Sequence, residues 1–295
     1  MKRPLPTMDP GWKAVQDAKQ KLKGKRLGEE AKRAATDAVV GKKFQETVAA
    51  SCNTVGAEAL AALNSQGYYI KDDFLGQEAC EFMRAEAEAF YTAGALKSGK
   101  STRWNTKKEE VETYEKKNVL TMQIQGGSSY AKSPRLVEYV VEITKGVSQA
   151  INTASTGPML LTSHQTNKLA VCLGDGSEYT KHYDNAGGTD RRKLTVLYYM
   201  NPNWAVDQGG MFRAFADSDS PECYVDIEPV ADRILFFWSD VLVHGVGPSF
   251  AESTDQHRYA LTVWLVAAEG VEIQKDEAAE VAHFASVAAK GSARD

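Results

Sequence analysis

The chain predicts a mainly β fold of the α+β class, and three observations predict it. From Lys168 onward, short apolar or alternating runs recur: Leu169–Leu173, Leu194–Met200, Met211–Phe215, Tyr224–Ile227, Ile234–Trp238 and Tyr259–Val266. They are separated by Gly, Asp, Asn and Pro, the spacing of an all-β sandwich or barrel. Ahead of them lie stretches whose apolar residues recur at helical spacing. The 295 residues, 43% of them hydrophobic and 25% charged, suffice for one large core with extensions. The expected architecture is therefore a double-stranded β-helix, a jelly-roll (cupin-like) core buttressed by N-terminal helices.

Residues 1–50 form a basic extension, expected to be helical or disordered. They hold twelve Lys/Arg against six Asp/Glu, a net +6, which leaves −10 on the remainder of a chain of net charge −4. Such an arm could touch nucleic acid, an acidic partner or an import receptor. A solvated extension is the preferred reading, and nucleic acid is not expected as a partner. Asp9 and Asp17 argue against an organellar transit segment. The stretch Met1–Thr7 lacks the apolar run of a secretory signal, and no run of about 18 apolar residues suggests a membrane span. Cys52, Cys80, Cys172 and Cys223 show neither paired nor metal-type spacing, so reduced, mostly buried thiols are expected. A cytoplasmic or nuclear setting follows.

The folded core is expected from about Ser51, within a domain spanning 51–268 whose jelly-roll core covers about 168–266. Ala57–Gln66 reads as a helix stopped by Gly67. Tyr68–Ile70 reads as a strand, and a second helix starts near Gln77 with Met83, Ala87, Phe90 and Tyr91 at helical spacing. The polar stretch 97–130 reads as a loop returning into a short strand at Val119–Met122, and as a candidate lid. Ser133-Pro134 reads as an N-cap and first-turn proline. Behind it Leu136, Val140, Ile143, Val147 and Ile151 line one helical face. The last segment, 269–295, is expected to carry a helix over Lys275–Lys290 that packs through Val281, Phe284 and Val287.

Chemistry concentrates in four residues. His182-Tyr183-Asp184 reads as a strand running into a loop, and positions two apart on a strand share a face. His244 follows the apolar run Ile234–Trp238. Two imidazoles and one carboxylate suit a six-coordinate ferrous ion with three open positions. Alone, His-x-Asp is a weak signal and His244 could be a satisfied turn histidine. Arg258 opens a run in which Arg258, Ala260, Thr262 and Trp264 share one face. An inward arginine is costly unless it meets an anion, which could be an Asp or Glu of the fold or the carboxylate of a cosubstrate such as 2-oxoglutarate, helped by a hydroxyl from Thr262 or Tyr199. The same triad could hold the zinc of a hydrolase, which would leave Arg258 without a purpose.

In order, these contexts read His-Tyr-Asp-Asn, Lys-Leu-Thr-Val-Leu-Tyr-Tyr-Met-Asn-Pro-Asn-Trp, Gln-Gly-Gly-Met-Phe-Arg-Ala-Phe, Asp-Ile-Glu-Pro-Val-Ala-Asp-Arg-Ile-Leu-Phe-Phe-Trp-Ser-Asp, then His244 and Arg-Tyr-Ala-Leu-Thr-Val-Trp. The chain resembles the prolyl 4-hydroxylase group of Fe(II)- and 2-oxoglutarate-dependent dioxygenases, in particular the oxygen-sensing, hypoxia-inducible-factor type. The resemblance covers residues 66–268 and is specific over 168–266. It implies iron held by His182, Asp184 and His244. It implies 2-oxoglutarate held by Arg258, Tyr199 and Thr262, and a substrate entrance lined by Tyr179, Arg192 and Trp264. The implied reaction consumes O2 and 2-oxoglutarate, with ascorbate as reductant, hydroxylates C4 of a proline in a protein or peptide, and releases succinate and CO2. The chain departs from the sensor pattern at Val171–Gly176, which lacks a tyrosine. It departs again at Ala251–His257, a polar insertion, and at 97–118, which does not align. No Cys/His cluster marks a zinc finger in the arm. A small molecule or another residue as substrate, and a non-catalytic metal-binding jelly roll, are the alternative readings.

Overall fold

Glycine and proline punctuate the helices as the sequence predicts. A computed structural model of the chain describes residues 37–105, 110–156, 159–185, 187–217, 223–269 and 276–291, with the isolated positions 20 and 271. The chain divides into two compact units, residues 1–44 and 45–295. In the first unit residues 37–44 are helical, and residues 45–52 of the second unit are helical too, with Val48 and Cys52 fully buried, so the core begins before the expected Ser51; the rest of the expected arm lies, position 20 apart, outside the described residues. In the second, helix α1 (Gly56–Gln66) ends at Gly67, whose φ of 83° is open to glycine at little cost. Strand β1 (Tyr68–Lys71) leads into α2 (Gln77–Thr92), which buries Met83 and Ala87. Helix α3 (Pro134–Ala154) starts with its proline in the first turn behind Ser133, although the Ser133 hydroxyl makes no cap bond. Its predicted stripe, Leu136, Val140, Ile143, Val147 and Ile151, is buried throughout.

Two antiparallel sheets follow. The seven-stranded sheet runs β1, β9 (Ile234–Trp238), β6 (Arg192–Tyr199), β11 (Arg258–Ala267), β4 (Leu160–Cys172), β3 (Glu110–Met122) and β2 (Lys97–Asn105). The four-stranded sheet runs β5 (Ser177–His182), β10 (His244–Ser249), β7 (Phe212–Phe215) and β8 (Tyr224–Ile227). Strands that alternate between sheets along the chain produce the double-stranded β-helix expected from the sequence. The central strands β9 and β11 are buried along nearly their whole length, which explains their continuous apolar runs.

Residues 97–122 correct the sequence reading. Their described parts, 97–105 and 110–122, are two paired strands, β2 with β3 from Lys97↔Thr121 to Asn105↔Glu110, rather than a loop and a short strand. Only its base, Val119–Met122, pairs with Cys172–Leu169 of β4. The outer part is an edge ribbon whose pairing comes from backbone hydrogen bonds, so its polar sequence carries no period-2 apolar signal.

The last helix, α4 (Glu277–Gly291), packs less symmetrically than its spacing suggests. Phe284 is 2% exposed and joins a cluster with Leu242, Leu235, Phe237 and Tyr199, whereas Val281 is 71% exposed. Next to Phe284, His283 Nε2 hydrogen-bonds Tyr68 at 3.0 Å. This short helix uses one narrow face, with Phe284 as its anchor. No described helix is long and apolar enough to cross a membrane.

Candidate active site

Between the two sheets lies a cavity lined by His182, Asp184, His244, Tyr179, Phe212, Phe237, Arg258, Thr262, Trp264 and Lys168. Antiparallel pairing sets His182 of β5 directly opposite His244 of β10. Each imidazole is oriented through its Nδ1, which donates to a backbone carbonyl, Thr180 O at 2.7 Å and Leu242 O at 3.1 Å. A carbonyl only accepts, so the proton sits on Nδ1 and Nε2 keeps its lone pair. Both Nε2 atoms face Asp184 Oδ1, at 3.6 Å from His182 and 3.8 Å from His244. The three candidate ligand atoms lie within 4.8 Å of one another, the sole such group among the described residues. Phe212, stacked at 5.1 Å and 15°, and Phe237 at 4.5 Å hold the His244 ring. Burial keeps His244 down to about 4, so it is neutral and able to ligate over the physiological range.

Asp184 does not reach this position by strand alternation. β5 ends at His182, and Asp184 lies in the loop beyond it. Tertiary contacts aim its carboxylate: Oδ2 accepts from Thr195 Oγ1 at 2.8 Å and from Trp264 Nε1 at 2.9 Å. Thr195 is backed in turn by Ser239 Oγ at 2.8 Å. The next residue, Asn185, ties the loop down through Asp190 O, Arg192 O and Gly187 N. Burial pushes the Asp184 carboxyl up, but His244, the contact with His182 and Lys168 outweigh it and hold the group well below the usual carboxylate range.

A bulge supplies the second wall. Across β5 and β10, His244 pairs with His182 but Val246 pairs with Tyr179, three residues on one strand against two on the other. The extra residue lets His182 and Tyr179 line the same cavity despite odd spacing. Burial drives the Tyr179 hydroxyl far above its ordinary value, and the hydroxyl has no hydrogen-bond partner among the described residues.

Arg258 opens β11 at 4% exposure. Its Nε donates to Gly210 O at 2.7 Å, and its guanidinium stands 5.1 Å from the centre of the Tyr199 ring. No Asp or Glu pairs with it among the described residues, so the alternative of an internal anion has no support there. The Tyr199 hydroxyl is buried against it with no other hydrogen-bond partner among the described residues, and burial pushes it up to about 12 against the pull of Arg258. Thr262, also buried, lies on the same wall. A buried guanidinium beside a buried hydroxyl is the donor pair that a carboxylate would take.

Gly209 and Gly210 make room for this arrangement, both with positive φ. A Cβ on Gly210 would lie 2.8 Å from Arg258 Cδ, and one on Gly209 would lie 2.2 Å from the Pro248 carbonyl oxygen. Gly210→Ala should therefore lower stability by about 1–3 kcal/mol in urea unfolding. Gly209→Ala should cost more, because a backbone carbonyl cannot swing aside as a side chain can. Equal, negligible effects would show that this turn is free to relax.

The structure brings Tyr179 and Trp264 to the cavity but not Arg192, which lies in an outer groove of about 660 Å³. The Arg192 charge is taken up by Asp190, with Nε 3.0 and 2.9 Å from its two oxygens. Trp264, expected at the entrance, also acts as a hydrogen-bond donor to Asp184. The sequence reading missed Lys168 and Lys116. Their signal was weak: a lysine among apolar residues on β4, and one lysine in a charged strand.

Comparisons with known proteins agree with this geometry. Residues 167–266 match the model of the 2OG-Fe(II) oxygenase superfamily. The hypoxia-inducible factor prolyl hydroxylase of Caenorhabditis elegans is 29% identical over 215 residues, 71% of this chain and 28% of that protein. Mouse prolyl hydroxylase EGLN3 is 43% identical over 108 residues, 36% of this chain and 42% of that protein. The chain thus spans less than half the length of these curated relatives. A Trichoplax adhaerens prolyl hydroxylase, solved in complex with a hypoxia-inducible factor oxygen degradation domain peptide fragment, superposes with a TM-score of 0.55 at 25% identity, covering 78% of this chain and 93% of that one. Residues 167–266 are a domain of the 2OG-Fe(II) oxygenase superfamily. Its relatives named above are prolyl hydroxylases.

Proposed function

We propose that the chain is an Fe(II)- and 2-oxoglutarate-dependent dioxygenase that hydroxylates proline in a protein or peptide, working in the cytoplasm or nucleus, with residues 51–268 as its catalytic domain. The observation that carries the cosubstrate is Arg258, a buried guanidinium beside the buried Tyr199 hydroxyl and without a carboxylate partner among the described residues. Two neutral imidazoles and one carboxylate are the donor set that ferrous iron takes while keeping positions open. A zinc hydrolase would need the triad but not the arginine.

His182, Asp184 and His244 would hold the metal, each imidazole presenting Nε2 because Nδ1 is committed to a carbonyl. Arg258 and Tyr199 would grip the far carboxylate of 2-oxoglutarate, with Thr262 beside it. With both bound, the site would supply oxygen activation: one atom of O2 would enter succinate as 2-oxoglutarate loses CO2, and the other would be inserted into a C–H bond. Phe212, Phe237 and Leu197 line the cavity with apolar surface and exclude water. Tyr179 and Trp264 line the cavity and Arg192 the groove outside it, and in this reading all three would meet an incoming chain.

Anaerobic titration with ferrous ion and 2-oxoglutarate should produce a visible metal-to-ligand charge-transfer band. In air, prolyl peptides should gain one oxygen by mass spectrometry as succinate is released. Succinate without any hydroxylated peptide would turn the substrate assignment toward a small molecule or another residue.

A further inference from the structure

Most cations near the cavity are already paired. Asp190 compensates Arg192, Asp175 lies 3.2 Å from Lys117, and Asp240 lies 2.7 Å from Lys193. Lys168 and Lys116 are different: neither has a carboxylate partner among the described residues. Both rest on aromatic faces. Lys116 Nζ stands 3.9 Å from the Tyr179 ring centre, and Lys168 Nζ stands 5.6 Å from the same ring and 5.0 Å from that of Trp264. Among the described residues Asp184 is the one carboxylate that acts on both. Its oxygens are engaged by Thr195, Trp264 and the two histidines.

Strand register locates Lys168 within the cavity. Arg258 pairs with Cys172, Ala260 with Ala170, Thr262 with Lys168, and Trp264 with Thr166. Lys168 therefore stands four residues from the level of Arg258, toward Trp264. Together with Trp264 it also lines the outer groove, whose other walls include Arg192, Asn167 and Gln123. A cation there faces whatever enters, not the far end of a cosubstrate held by Arg258. Two unpaired ammonium groups sharing one aromatic ring repel each other, and burial and that repulsion bring Lys116 down to about 8. An incoming anion would relieve both costs.

We propose that Lys168, assisted by Lys116, is a specificity-determining anion subsite that selects peptides carrying an Asp or Glu side chain close to the target proline. This rests on the prolyl-peptide reading above and names the kind of peptide. Lysine is suited to the task, because a carboxylate on a flexible peptide needs a mobile point charge rather than a fixed fork.

The test compares pairs of prolyl peptides that differ only by Glu against Gln near the proline, assayed with the wild type, Lys168→Met, Lys168→Arg and Lys116→Met. The wild type should favour the Glu peptide by about tenfold in kcat/KM, the size of one charge-assisted contact. Lys168→Met should bring the ratio to about two or below, Lys168→Arg should retain most of it, and Lys116→Met should reduce it partially. Hydroxylation of both peptides at equal kcat/KM by the wild type would sink the subsite and leave prolyl hydroxylation standing. A ratio unaltered in Lys168→Met would also overturn it. So would a Lys168→Met protein whose loss lies in 2-oxoglutarate affinity, read from the charge-transfer band, since that would make Lys168 a cosubstrate contact. Succinate release with neither peptide bound nor hydroxylated would remove the prolyl-peptide reading and the subsite with it.

Discussion

Asp184→Ala is expected to abolish iron-dependent release of succinate, by at least about 100-fold, and to remove the charge-transfer band with ferrous ion and 2-oxoglutarate. Two reasons combine. The carboxylate is the single anionic ligand candidate in the triad, so its loss leaves two neutral imidazoles for a divalent cation. It is also the acceptor that anchors Trp264 Nε1 and Thr195 Oγ1. Alanine leaves the indole N–H without its acceptor, a cost of about 1–3 kcal/mol. Set against that, alanine removes a buried carboxylate. Asp184→Asn separates the effects: its amide oxygen can still accept from Trp264 while supplying no negative charge. Both variants should lose iron, and only Asp184→Ala should disturb the tryptophan environment in near-UV circular dichroism. Retention of iron-dependent turnover by either one would remove Asp184 from the metal site.

Arg258→Leu should weaken 2-oxoglutarate binding by about 2–5 kcal/mol, roughly 30-fold to several-thousand-fold, because the carboxylate would enter a buried site without its counter-charge. The apo protein should change little in stability. Leucine removes a buried cation that has no internal anion among the described residues, which offsets the donor lost at Gly210 O. Ferrous binding alone should survive, since the triad does not contact Arg258 through any hydrogen bond among the described residues. Titration of the charge-transfer band measures the first effect, and thermal unfolding without ligands measures the second. A variant that unfolds while binding 2-oxoglutarate normally would mean that Arg258 holds the fold together instead.

Much of the jelly roll was legible because its strands repeat short apolar runs between turn residues, and burial on both faces of β9 and β11 produces that pattern directly. The helices were legible from Gly67, Pro134 and the stripe on α3. The β2–β3 strand pair was not, since an edge ribbon held by its backbone needs no apolar alternation. Val281 misled for a related reason: helical spacing says which residues share a face, not how wide a face the neighbouring sheet will cover. At the site, His182, His244 and Arg258 were readable from residue type and strand context. Lys168 was not, since one lysine in an apolar strand has no meaning until its neighbours across the sheet are known.

The sequence by itself determined the chemical inventory: two imidazoles, one carboxylate and an inward arginine, in an order and strand contexts that resemble the prolyl-hydroxylase group. The tertiary structure decided how those groups converge. Asp184 lies past the end of its strand and is aimed by Thr195 and Trp264, residues 11 and 80 positions away. Tyr179 turns inward because of a bulge, and Arg258 fits because Gly210 has no Cβ. Each depends on contacts between distant strands. Periodicity reports only which way a side chain leaves its own backbone, whereas convergence on one point is set by the register and bulges that join one strand to another.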